Sequence, residues 1–149
     1  MGFIKQKPAE LIKKTDRVIK KLTDQLVKKP KTLFLIDSLG ALLTALLLFF
    51  VLRNFCPYIG MPEAVLNLLW PIAAYFFFYS AACFLFLKGK WAVFLRIISF
   101  ANSLYCLLTL ILLFIHYKQL TNLGLVYFSA ETAIIGGLVY IEHQVLAKI

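Results

Sequence analysis

The 149-residue chain has little of what enzymes commonly use. It holds two histidines, three cysteines and seven acidic residues. His116 and His143 fall at the ends of long apolar runs and on opposite sides of any membrane those runs cross. They therefore share no depth at which to ligate a haem or build a His-rich metal site. Cys56, Cys83 and Cys106 form no CxxC pair. That removes the paired thiols a membrane disulfide carrier needs and leaves three small apolar fillers. No Gly-rich phosphate loop is present, no strand alternation of the kind that builds a barrel, no internal repeat and no low-complexity tail. A serine protease needs a histidine base beside a buried serine, and neither histidine reaches that depth. An intramembrane aspartyl protease needs two carboxylates at one level, and Asp37 and Glu131 differ in depth by about 10 Å. Without a catalytic, metal or cofactor constellation, the expectation is a non-enzyme.

What the chain does have is apolar length. Hydrophobic residues make up 62% of it and its mean hydropathy is +0.85, against roughly 45–50% apolar in a soluble domain. The excess lies in four runs, about 33–52, 64–87, 91–115 and 120–141. Each has the ~20 residues that carry an α-helix across ~30 Å of hydrocarbon, and only a helix satisfies its backbone there in a single run. The first run starts too late and is too long for a cleaved signal peptide.

The net charge of +9 is uneven, with ten of the sixteen basic residues before residue 33. A membrane reading explains this asymmetry better than nucleic-acid binding. The first inter-span loop carries only Arg53, the second Lys88 and Lys90, the third Lys118, and the tail Lys148. The positive-inside rule then puts the N-terminal arm, the second loop and the tail in the cytoplasm. The expected localisation is the inner, cytoplasmic membrane, multi-pass with both termini inside.

Residues 8–29 read PAELIKKTDRVIKKLTDQLVKK. At helical spacing Leu11, Ile12, Val18, Ile19, Leu22 and Leu26 fall on one face, with Lys13, Lys14, Arg17, Lys20, Lys21 and Lys28 on the other. Pro8 suits a helix start and Pro30 a stop. The spacing predicts a basic amphipathic helix along the membrane surface, attracted to anionic lipid headgroups by ~1 kcal/mol per basic residue. The expected fold is all-α: a four-helix transmembrane bundle over 32–149, preceded by an amphipathic surface helix within 1–31. The KGK connection predicts a tight hairpin of spans two and three, Pro71 a kink in span two, and Trp91 and Tyr117 interfacial anchors.

Three ionisable residues lie inside the runs, and such residues default to functional hypotheses. By a 1.5 Å rise per residue, Asp37 is about 6 Å and Arg96 about 7–8 Å from the cytoplasmic boundary. This predicts an Asp37–Arg96 ion pair joining spans one and three. Arg96, Ser99, Asn102, Ser103, Cys106 and Thr109 make one polar stripe on span three, expected to face the interior. Asn102 and Glu131 fall at about 16 and 18 Å, so Asn102 is the expected partner of Glu131, with Tyr105, Tyr127 and Thr44 as further candidates. With no cation near, the interior favours the neutral acid, which donates one hydrogen bond and accepts others. Small residues spaced by four, Gly40 and Thr44 on span one and Ser129, Ala133 and Gly137 on span four, predict close helix approach.

The stretches FLIDSLGALLTALLL, FANSLYCLLTL and LGLVYFSAE resemble a group of small bacterial four-span membrane proteins with no assigned activity. The resemblance covers about residues 32–142, takes in Asp37, Asn102, Tyr105 and Glu131, leaves out the arm and implies no substrate. The chain looks unlike the small multidrug exporters, whose essential acid is in the first span. Two function classes follow. One is a non-enzymatic scaffold or accessory subunit with a buried polar layer and a protein or homo-oligomeric partner. The other is a small proton- or cation-linked transporter component with Glu131 as the titrating group, which on size alone would work as an oligomer. Neither calls for a cofactor, a metal or nucleic acid.

Overall fold

The computed structural model describes residues 8–149, and those residues are helical with short connections. The first seven residues of the expected arm lie outside the described residues. Helix α1 (Pro8–Lys28) ends at Lys29, whose φ of −133° and ψ of 72° break the helix. Pro30 then takes the first helical position of α2 (Pro30–Leu46), where its missing N–H costs nothing. The same proline that stops the arm therefore starts the first span, three residues earlier than hydropathy alone suggests. Helix α2 runs on as a π-helical stretch, Leu47–Leu52. There the Arg53 N–H reaches back five residues to the Leu48 carbonyl at 3.2 Å.

A short α3 (Cys56–Ile59) leads to α4 (Glu63–Phe86), which carries Pro71 in its interior. Helices α5 (Trp91–Ile115) and α6 (Asn122–Ala147) complete the chain. Among the described residues, four helices are long and apolar enough to cross a membrane: Pro30–Leu52, Glu63–Phe86, Trp91–Ile115 and Asn122–Ala147. Their outer faces expose large apolar side chains, Phe78, Phe86, Phe100, Phe114 and Ile134 among them. A water-soluble monomer rarely shows contiguous apolar surface of that kind. The features suit a multi-pass membrane protein.

The bundle is built from two antiparallel pairs. Helix α2 packs along α4, and α5 along α6. Helices α4 and α5, joined by the short Leu87–Lys90 connection, touch little. This corrects the expectation of a tight hairpin of spans two and three: the short connection passes from one pair to the other. Two apolar clusters fill the interior. One, around Leu48, Leu66, Leu69 and Phe128, lies toward the α3 end. The other, around Leu33, Phe34, Leu95 and Val145, lies at the arm end and takes in Leu26 of α1. The arm is further tied down by Lys148 near the end of α6, whose ammonium bonds the Asp24 carboxylate.

The expected close approach at small residues is also corrected. A Cβ added at Gly40, Gly136 or Gly137 would meet open space, so these glycines face outward. The tight contacts lie in the connections at the other end. Gly60, at φ +80°, closes α3 in the left-handed region, and a Cβ there would sit 2.0 Å from the Gln119 carbonyl oxygen. At Gly124 a Cβ would sit 2.4 Å from the Ile59 oxygen. Thr121 fastens this corner, donating its hydroxyl to the Tyr58 carbonyl at 2.6 Å and capping α6 by accepting the Gly124 N–H at 3.2 Å.

Candidate functional site

All four spanning helices contribute a polar side chain to one interior seam. Asp37 of α2 is 3% exposed, and both its oxygens are occupied: Ser80 of α4 donates to Oδ2, and Asn102 Nδ2 of α5 donates to Oδ1 at 2.7 Å. Further from the arm, Tyr105 donates its hydroxyl to Glu131 Oε1 at 2.9 Å, joining α5 to α6. Glu131 Oε2 has no hydrogen-bond partner. Beside Asp37, Asn102 and Tyr105 lies a hollow of about 90 Å³, also lined by Thr44, that opens outward between α2 and α6 past Gly40, Leu43 and Ile134. It has room for a few water molecules.

A third carboxyl completes the seam. Glu142 of α6 is 0% exposed, and among the described residues neither of its oxygens has a partner at normal hydrogen-bond geometry. Asp37 lies near enough to repel it when both carboxyls are charged. The Ser99 hydroxyl lies between Glu142 and His143 Nδ1, 3.0 Å from the imidazole nitrogen, which also faces the Val139 carbonyl at 3.0 Å; this corrects the expectation that neither histidine reaches a buried serine. His143 is exposed, so the polar groups run from the surface inward: His143 and Ser99, then Glu142 and Asp37, then Asn102, Tyr105 and Glu131. Along α5, Ser99 to Tyr105 covers about 9 Å. Among the described residues, no group of three or more His, Cys, Asp or Glu side chains gathers as metal ligands.

Two expected pairings are corrected. The Asp37–Arg96 ion pair does not form. Arg96 is exposed and makes no salt bridge among the described residues. It lies about 120° around α5 from Asn102, and neutral donors fill the Asp37 oxygens without burying a guanidinium. Nor does Asn102 pair with Glu131, because its amide goes to Asp37. The earlier start of α2 puts Asp37 about 10 Å into its helix, deep enough to meet Asn102. Glu131 sits one turn beyond, opposite Tyr105.

Of the other expected site residues, Thr44 lines the hollow and Tyr127 lies one turn before Glu131 on α6. The α5 stripe is buried at Ser99, Asn102 and Thr109. On α1, Lys13, Lys14, Arg17, Lys20, Lys21 and Lys28 are all exposed, as are Leu11, Ile12, Val18 and Leu22. Sequence reasoning missed Ser80, which sits unmarked in an aromatic run. It also missed Glu142 and His143 as seam residues, because it ended the fourth span at residue 141. The signal was there: Val145 and Leu146, three and four residues after Glu142, continue the apolar face by one more turn. No family model, curated protein or solved structure matches the chain, so function has to be argued from these side chains.

Proposed function

We propose that the chain is a small proton-linked membrane transporter component whose interior acids, Glu142 and Glu131 with Asp37, exchange protons with the arm side. The observation that carries this reading is Glu142, fully buried with no salt bridge among the described residues and only the Ser99 hydroxyl alongside its carboxyl. Polar side chains that act only as glue between membrane helices are satisfied by one another. An unpaired buried carboxylate costs several kcal/mol, which a proton or a small cation removes. His143 at the surface and Ser99 beside Glu142 give such an ion a polar approach. On this reading the membrane is the inner, cytoplasmic one, both termini are cytoplasmic, the basic arm lies along anionic headgroups, and the protein catalyses no covalent chemistry.

The scaffold or accessory-subunit reading is supported by one specific observation. The hollow beside the polar layer is small, at about 90 Å³, and a static polar layer needs no more. The two readings part under a hydrophobic carbodiimide, which modifies protonated buried carboxyls. Protein in liposomes is labelled across a range of pH and mapped by peptide mass. Glu142 labelling that changes with pH and disappears in Glu142→Gln is the expected result. Absent or pH-independent labelling at both Glu142 and Glu131 would mean a sealed interior and favour the scaffold.

A further inference from the structure

We propose that the arm end of the bundle holds a site for one anionic phospholipid, its phosphate among Lys28, Lys29, Lys31 and Lys88 and an acyl chain in the adjoining groove. The site is independent of the interior seam. A hollow of about 440 Å³ lies where the α1–α2 junction meets the α4–α5 connection. It is lined by these four lysines together with Pro30, Leu87 and Trp91, and no acidic residue lines it. Among the described residues the salt bridges are Arg53–Glu63 and Lys148–Asp24, so none of the four lysines is ion-paired, and Asp24, which lies near enough to Lys28 to attract it, is itself bonded to Lys148. Four like charges around one hollow repel unless an anion enters.

The backbone adds to this field. Helices α2 and α5 begin at Pro30 and Trp91, both in the lining. Two long helices therefore turn their positive ends to the same place. Trp91 is half-buried and of the residue type that sits at headgroup level.

The groove next to it decides between a lipid and a free anion. A second hollow, of about 560 Å³, shares Lys28, Lys29 and Thr32 with the first. From that common rim it runs between α1 and the spans along Leu26, Leu33, Ile36 and Leu138. A basic mouth continuous with an apolar trough matches a phosphodiester attached to an acyl chain. A soluble phosphate would use only the mouth.

The full-length protein is reconstituted in vesicles of equal parts phosphatidylcholine and phosphatidylglycerol. It is then extracted in mild detergent, and retained lipid is counted by native mass spectrometry. Wild type is expected to keep one phosphatidylglycerol per chain. The triple variant Lys29→Gln, Lys31→Gln, Lys88→Gln should bind it roughly a hundredfold more weakly, from ~1 kcal/mol per basic residue. Removing equal charge from the distal arm by Lys13→Gln, Lys14→Gln, Lys20→Gln should leave it bound. Equal retention by wild type and the junction triple would overturn the site, and so would equal loss from both triples, which would reduce the effect to diffuse charge. Displacement by excess inorganic phosphate would assign the hollow to a free anion and overturn the lipid. Melting in vesicles of phosphatidylcholine alone serves as the folding control. If the junction triple fails it, Lys88→Gln in the connection is read instead, with a loss of about fivefold.

Discussion

Replacing Asn102 by leucine should separate the observed polar pairing from the one that depth counting suggests. Leucine keeps asparagine's γ-branched shape and heavy-atom count but is bulkier, so the change removes a donor without leaving a cavity. The bond lost is Asn102 Nδ2 to Asp37 Oδ1 at 2.7 Å, between residues 4% and 3% exposed. Polar contacts between membrane helices are worth ~0.6–2 kcal/mol, and hydrogen bonds to charged groups stand at the upper end of the general range, ~1.5–3 kcal/mol. Asp37 keeps its bond from Ser80, so it is not stranded. The Asn102→Leu and Asp37→Leu cycle should therefore return a coupling of about 1–2 kcal/mol. The Asn102→Leu and Glu131→Leu cycle should be additive to within ~0.5 kcal/mol. Both can be read from equilibrium unfolding in mixed micelles followed by circular dichroism. Coupling near zero to Asp37 and above ~1 kcal/mol to Glu131 would contradict the Asn102–Asp37 pairing and restore the depth-matched pair.

Three other outcomes follow from single contacts. Tyr105→Phe strips Glu131 of its one donor and should cost about 1–3 kcal/mol in the same unfolding assay; a loss within ~0.3 kcal/mol would show the bond to be incidental. Gly124→Ala drives a Cβ to 2.4 Å from the Ile59 carbonyl oxygen, and overpacking against backbone should cost about 1–3 kcal/mol, whereas Gly137→Ala, facing open space, should cost nothing measurable. Docking of the arm should depend on acid. The Lys148 ammonium, hydrogen-bonded to Asp24, holds that carboxyl below the usual carboxylate range. A depressed acid contributes above its ordinary value of about 4 and loses the contribution as pH falls below it. Spin-label distances between α1 and α6 should lengthen in strong acid and in high salt, and Asp24→Asn should remove the acid dependence; distances unchanged in acid would contradict the tie.

Much of this architecture is written in hydropathy alone. The four helices lie where runs of twenty apolar residues demand them, and Pro8 and Pro30 mark both ends of the arm. The ends of the spans were harder to read. Hydropathy counts Lys31 and Glu142 against membership, but a helix continues while its backbone bonds and its buried face continue. The three extra residues at the start of α2 and the six at the end of α6 moved Asp37 deeper and brought Glu142 inside. Pairing was harder still, because depth along one helix says nothing of which face meets which neighbour. Arg96 and Asp37 match in depth, yet Arg96 points away. Depth does make Tyr105 one of three further candidates for Glu131, and its hydroxyl meets that carboxyl. Ser80 carries no signal in sequence, since a serine among aromatics is as often packed against lipid as bonded to an acid.

A transporter component of the proposed kind requires that its interior acids exchange protons. Infrared difference spectra of the liposome-embedded protein, taken across a pH jump, report that directly. The prediction is a carboxyl band that changes with pH, shifts in heavy water and is lost or reduced in Glu142→Gln, with a smaller part lost in Glu131→Gln. A spectrum with no carboxyl change over the stable pH range, in a protein shown to be folded, would contradict it and leave the seam as structural glue.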